Sequence, residues 1–166
     1  KVCATFGIDH TTKDLEWGTG AKVADIAGAM DADPKIDTVI LVHSETSTAA
    51  YSDVEGVARL TRDRGALLIV DGITSVGALP VKMDEWGVDV VVCGSQKGLM
   101  LPPGLAYVAL GERAQAAISK SDLPKYYFTF ADALKTLKKK RFIDSEVFNA
   151  LVQLYRHKPR ANNLLL

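Results

Sequence analysis

The sequence predicts an α/β domain: a mostly parallel sheet with one antiparallel strand, flanked by helices. Three observations carry this. Short apolar runs rich in β-branched residues recur along the chain, a length and composition that suit strands rather than helices. Amphipathic stretches alternate with them, as in parallel βαβ units. The connection across Pro102-Pro103-Gly104 spans only about ten residues, too short for a helical crossover, so the strand after it should return antiparallel.

From Thr19, the residues Val23, Ile26, Ala27 and Met30 recur at helical spacing, and Asp33-Pro34 closes that segment. "DTVILVH" (Asp37 to His43) reads as a buried strand, because its β-branched core is short and continuous. "SETSTAAYS" is a polar loop. "SDVEGVARL" opens like a capping box, and Val54, Val57, Ala58 and Leu60 to Thr61 form the apolar stripe of a second helix that Gly65 can end. "ALLIVDG" (Ala66 to Gly72), "VDVVVCG" (Val88 to Gly94) and "LAYVAL" (Leu105 to Leu110) are the remaining strands. Beyond Gly111, "ERAQAAISK", "FADALKTLKKK" and "SEVFNALVQLYRH" read as helices, and Trp17 and Trp86 as packing residues.

The chain has 166 residues, 20 basic and 20 acidic side chains and 48% hydrophobic residues, which suits one soluble domain or a piece of one. Zero net charge removes the usual argument for nucleic acid or an anionic membrane as partner, and Lys138 to Arg141 reads as a solvated helix end. Cys3 and Cys93 form no disulfide framework or metal motif, which points to a reducing compartment, the cytoplasm. No apolar stretch is long enough for a membrane-spanning helix, and no secretory signal is visible. The sequence starts at Lys1 rather than Met, so it reads as processed or incomplete.

In an open parallel sheet, ligands bind beyond the carboxyl ends of the strands, where the loops converge. Three such ends are polar: His43 to Thr48, Asp71 to Ser75, and Ser95 to Lys97. Taken singly, a strand-end aspartate is a turn former and a lysine after Gly-Ser-Gln a solvated loop residue. Together, and if their strands are neighbours, Asp71 and Lys97 face one crevice. That pair suits a carbonyl cofactor bound as a lysine Schiff base, with the carboxylate opposite a protonated ring nitrogen. The lysine, partly desolvated at the sheet edge, then serves as nucleophile and proton shuttle. His43 reads as a strand-end histidine that satisfies backbone groups; with Glu45 alone it lacks a third metal ligand.

The long segment "VDGITSVGALPVKMDEWGVDVVVCGSQKGLMLPPGLAYVAL", with "LEWG" and "HSETSTA" ahead of it, resembles the cofactor-binding core of class V aminotransferases. The likeness is greatest to the alanine–glyoxylate, serine–pyruvate and serine–glyoxylate branch. It runs from near Leu15 to about Leu137. It implies the large domain of a fold-type I pyridoxal-phosphate transferase, incomplete here, with residues 1–122 as part of that domain and residues 123–166 as a helical, divergent C-terminal segment. It also implies pyridoxal 5'-phosphate as cofactor, small amino-acid and keto-acid substrates, transamination and a homodimer.

Carried onto this sequence, Lys97 in "GSQKG" resembles the Schiff-base lysine, and Asp71 in "VDG" the partner of the pyridine nitrogen. Ile73 matches the aliphatic residue beneath the ring, Gln96 a phosphate ligand, and Thr46 a small hydroxyl residue near the ring. The family's Gly/Ser phosphate loop, its ring-stacking aromatic and its substrate-binding arginine have no counterpart here. Thr129 stands where an aspartate is usual, and the tail from Lys139 departs from the pattern.

An alternative is a truncated fragment acting only as a folding or dimerisation module. A phosphoacceptor domain would need an acidic pair after "VILVH", which is absent. Cysteine desulfurases resemble the same core but carry histidine where Gln96 stands and need a mobile, exposed cysteine, whereas Cys93 lies within a strand run.

Overall fold

A computed structural model describes residues 1–126 and 129–140. Its elements run α1 (Val2–Thr5), α2 (Val23–Ala32), β1 (Thr38–Val42), α3 (Val54–Asp63), β2 (Leu67–Asp71), α4 (Met83–Trp86), β3 (Val90–Gly94), β4 (Ala106–Leu110), α5 (Glu112–Ile118) and α6 (Phe130–Lys140). The expected helix over Ser145 to His157 lies outside the described residues.

The strands form one sheet in the order β1-β2-β3-β4. β1, β2 and β3 run parallel, and β4 returns antiparallel with Cys93 opposite Tyr107 and Gly94 opposite Ala106. The short connection therefore acts as expected, and Ser95 staples it. The Ser95 hydroxyl donates to the Pro102 carbonyl at 2.7 Å and accepts from the Leu105 N–H at 3.3 Å, while the Ser95 N–H donates to the Leu105 carbonyl at 3.0 Å.

The core lies on one face of the sheet. Val39 and Leu41 of β1, Leu68 and Val70 of β2, and Val91 and Cys93 of β3 meet Val54, Val57 and Ala58 of α3 and Ile26 and Met30 of α2. Burying each of the larger side chains contributes about 1.5–3 kcal/mol. α3 presents Val54, Val57, Ala58 and Thr61 to this core, the i, i+3, i+4, i+7 stripe of an amphipathic helix. Its cap lies one residue later than the capping-box reading. Asp53 accepts from the Gly56 N–H at 2.9 Å, while the Ser52 hydroxyl is buried and accepts from the Ala21 N–H at 3.1 Å. Glu55, freed from capping, pairs with Arg59 one turn on.

Two other expectations change. β1 is buried on one face only: Val39 and Leu41 point inward, but Ile40 is 65% exposed and Val42 40%. An edge strand covered on one side alternates in burial even when its sequence is apolar throughout. Trp17 is 80% exposed and packs nothing, whereas Trp86 does join the core.

Candidate active site

The C-terminal ends of β1, β2 and β3 lie side by side, with Val42, Asp71 and Val92 in register across the sheet. Each strand leads into a loop that carries predicted residues: Thr46 after β1, Asp71 and Ile73 at the end of β2, Gln96 and Lys97 after β3.

These loops are tied to one another. The Thr46 and Thr74 hydroxyls hydrogen-bond at 2.7 Å, joining the first loop to the second. The second abuts the third so closely that a Cβ on Gly98 would collide with the Val76 carbonyl, and one on Gly77 would lie 2.8 Å from the Gly98 carbonyl oxygen. Only glycine permits that approach. The residue after Lys97 is therefore what brings the lysine loop against the aspartate loop.

Asp71 is half-buried, and its Oδ1 accepts from the Ile73 N–H at 3.0 Å. This two-residue turn orients the carboxylate, and no hydrogen bond occupies Oδ2 among the described residues. Lys97 is exposed rather than partly desolvated, and no ion pair or hydrogen bond engages its amine among the described residues. Its backbone carbonyl accepts from Met100 N–H at 2.9 Å. Gln96 is exposed, with Oε1 folded back so that a Cβ on Gly94 would stand 3.0 Å from it. Ile73 is half-buried.

Backbone strain collects here too. Ala49 (φ 57°) and Met100 (φ 56°) are non-glycine residues in the left-handed region, one in the first loop and one in the third. Such conformations cost about 1–2 kcal/mol for an L-residue and concentrate at functional sites.

Sequence reasoning missed the group at the centre of this edge. His43 is fully buried at the end of β1, and its Nδ1 bonds the Ser75 hydroxyl at 2.9 Å rather than a backbone group. Its ring lies 4.9 Å from that of Tyr51 and edge-on to Trp86 at 6.2 Å, and its Nε2 has no hydrogen-bond partner among the described residues. Burial pushes the imidazole below its ordinary pKa, so it is held neutral. Glu45 lies below the usual carboxylate range because the Ser47 N–H and hydroxyl donate to it. Among the described residues, no three His, Cys, Asp or Glu side chains gather to hold a metal. Cys93 is buried, and burial pushes its thiol up, the opposite of what a nucleophilic cysteine needs.

Residues 18–126 match the family model described as Aminotransferase class-V. The chain belongs to that family. This class-V aminotransferase chain is 43% identical over 143 residues to the serine–glyoxylate aminotransferase of Hyphomicrobium methylovorum, covering 81% of this chain and 35% of that one. It is 40% identical over 135 residues to the L-aspartate–glyoxylate aminotransferase of Paracoccus denitrificans, covering 79% of this chain and 34% of the relative. Among solved structures, the alanine–glyoxylate aminotransferase of Nostoc sp. superposes with a TM-score of 0.74 at 32% identity, over 81% of this chain and 36% of that chain. This class-V chain thus spans about a third of the length of the relatives it matches.

Proposed function

We propose that this chain carries the cofactor-binding core of a pyridoxal-phosphate-dependent aminotransferase that moves an amino group from serine or alanine to glyoxylate or pyruvate. The observation behind the reading is the placement of Lys97 and Asp71 on abutting loops from adjacent parallel strands, within a chain of this family. The relatives are named for serine, L-aspartate or alanine, and all three names share glyoxylate.

The donor set suits the cofactor: among the described residues, an amine without a partner, a carboxylate with one oxygen open, and hydroxyls beside them. When bound, pyridoxal phosphate supplies a carbonyl that condenses with amines and a ring that draws electron density from the substrate. Lys97 would hold the carbonyl carbon and would carry the proton of the substrate α-carbon. Asp71 would offer Oδ2 to the protonated ring nitrogen through a charge-assisted bond, its carboxylate oriented by the Ile73 N–H on Oδ1. Ile73 would pack against the ring, Gln96 would donate to the phosphate, and Thr46, whose hydroxyl bonds that of Thr74, would line the ring site.

We further assign the protein to the cytoplasm and to a homodimer. Both described cysteines are free, and no described helix is long and apolar enough to cross a membrane. Met100, Leu101 and Leu105, exposed beside Lys97, offer an apolar surface for a second copy. A second reading, a folding or dimerisation module without activity of its own, draws support from the same exposed apolar surface.

The test is the absorbance spectrum of the purified chain with pyridoxal phosphate, before and after alanine, serine or glyoxylate. A new band with cofactor that changes with an amino acid and returns with glyoxylate supports the aminotransferase. A band that no amino acid changes supports the module, and no band at saturating cofactor overturns cofactor binding.

A further inference from the structure

We propose that the buried His43–Ser75 pair is a neutral clamp on the turn that carries Asp71, which makes His43 a positioning residue for the contact between Asp71 and the ring nitrogen. This rests on the cofactor reading above.

The turn from Asp71 to Val76 is gripped by His43 at both ends. At its start, the His43 N–H donates to the Asp71 carbonyl at 3.0 Å. At its end, the imidazole Nδ1 meets the Ser75 hydroxyl at 2.9 Å. Between them, the Ser75 and Val76 N–H groups donate to the Gly72 carbonyl at 3.1 and 2.8 Å, and the Ile73 N–H holds Asp71 Oδ1. His43, the residue after β1, therefore meets the Asp71 turn where it begins, through its backbone N–H, and where it closes, through its side chain.

The hydrogen bonds also choose the tautomer. The single Ser75 proton has two acceptors in reach, His43 Nδ1 at 2.9 Å and the Gly72 carbonyl at 3.4 Å. With that proton directed to Gly72, Nδ1 is the donor and Nε2 keeps a bare lone pair in the Tyr51 and Trp86 wall. The other tautomer would bury an unpaired N–H, the costlier defect. A relay results, from His43 Nδ1–H to Ser75 Oγ–H to the Gly72 carbonyl, and it ends on the residue next to Asp71.

A simple core histidine would affect all ligands of the site equally, whereas a clamp on Asp71 affects only what Asp71 recognises. The experiment compares affinity for pyridoxal phosphate with affinity for its carbocyclic analogue, in which C–H replaces the ring nitrogen. The full chain is measured as wild type, His43→Gln, His43→Asn and Ser75→Ala. Asn places its amide N–H where Nδ1 stands and Gln does not. Amide hydrogen exchange of Ile73, Leu68 and Val70 is followed without ligand.

The wild type should prefer the ring with nitrogen. His43→Gln and Ser75→Ala should cut that preference about tenfold with little change for the analogue, and His43→Asn should keep it. Exchange at Ile73 should quicken in the two clamp-breaking variants while Leu68 and Val70 stay protected. Equal losses for both ligands, an unchanged preference, or faster exchange throughout β2 would each overturn the clamp while leaving the cofactor reading in place. If the wild type captures neither ligand, the cofactor reading fails and takes the clamp with it.

Discussion

Asp89 and Asp71 each stand at the end of a strand, on opposite edges of one sheet. Asp89, just before β3, is 3% exposed and has a cation inside the fold: its Oδ2 accepts from the Leu68 N–H at 2.8 Å and lies 3.6 Å from Arg113 Nη1, an ion-pair distance rather than a hydrogen bond. Arg113 in turn donates through Nη2 to the Ala66 carbonyl at 2.6 Å, and the Asp89 carbonyl accepts from the Gly111 N–H at 2.8 Å. Asp71, at the end of β2, is half-buried with one oxygen tied and one open. A buried carboxylate beside a cation of its own fold reads as a staple; a carboxylate oriented by one backbone N–H and facing no cation among the described residues reads as a site. Strain separates the edges in the same way, since the two left-handed non-glycine residues among those described, Ala49 and Met100, fall on the loops of the Asp71 edge.

The comparison breaks most readily at Lys97. Lys97→Ala should abolish borohydride-fixed capture of pyridoxal phosphate while leaving urea stability within about 0.5 kcal/mol of wild type, as for an exposed residue without partners. The two aspartates should then separate cleanly. Asp89→Ala leaves Arg113 facing an empty buried position and should cost about 3 kcal/mol by urea unfolding. Asp71→Asn should cost no more than about 1 kcal/mol but erase the preference for the ring with nitrogen.

Acid sharpens the contrast further. Because His43 has a lower pKa folded than unfolded, the unfolded chain binds the extra proton first as pH falls below the ordinary imidazole value of 6.5. The stability associated with neutral His43 is thus complete above that value and is lost as pH falls toward the depressed folded pKa. Unfolding curves from pH 7.5 downward should show wild type losing stability relative to His43→Asn, with the gap opening only below about 6.5. The smallest effect is at the strained loop. Ala49→Gly removes a left-handed alanine at some entropic cost and should raise stability by about 0.5–1 kcal/mol, read as a rise in urea midpoint.

Much of the fold was legible because its signals are local. Short β-branched runs, the Asp33-Pro34 stop, Gly65 after α3 (φ 74°) and the short Pro-Pro-Gly connection each act over a few residues, and the strands, helices and antiparallel return follow them. The bare face of β1 was not legible, since "TVILV" is apolar on both faces and its burial depends on what lies over Ile40. Ser52 and Asp53 could each cap α3; the choice falls to Asp53 because the Ser52 hydroxyl is taken by Ala21, a residue distant in sequence. At the site, Asp71 and Lys97 could be picked out by their place after strand-like runs, and the family resemblance added Ile73, Gln96 and Thr46. The His43–Ser75 bond spans 32 residues and exists only because β1 pairs with β2, so no spacing rule reaches it. The same holds for Thr74 against Thr46, and for Gly98, whose glycine is required by a neighbouring carbonyl rather than by its own turn.

If Lys97 is the amine that this end of the sheet reserves for a carbonyl ligand, peptide mapping will find it. The chain is incubated with pyridoxal phosphate at low molar excess, reduced with borohydride, digested and analysed by mass spectrometry. The added mass should fall on the peptide containing Lys97, with far less of it there in Asp71→Asn. Label spread evenly over exposed lysines such as Lys22, Lys35 and Lys120, or label at Lys97 indifferent to Asp71, would contradict it.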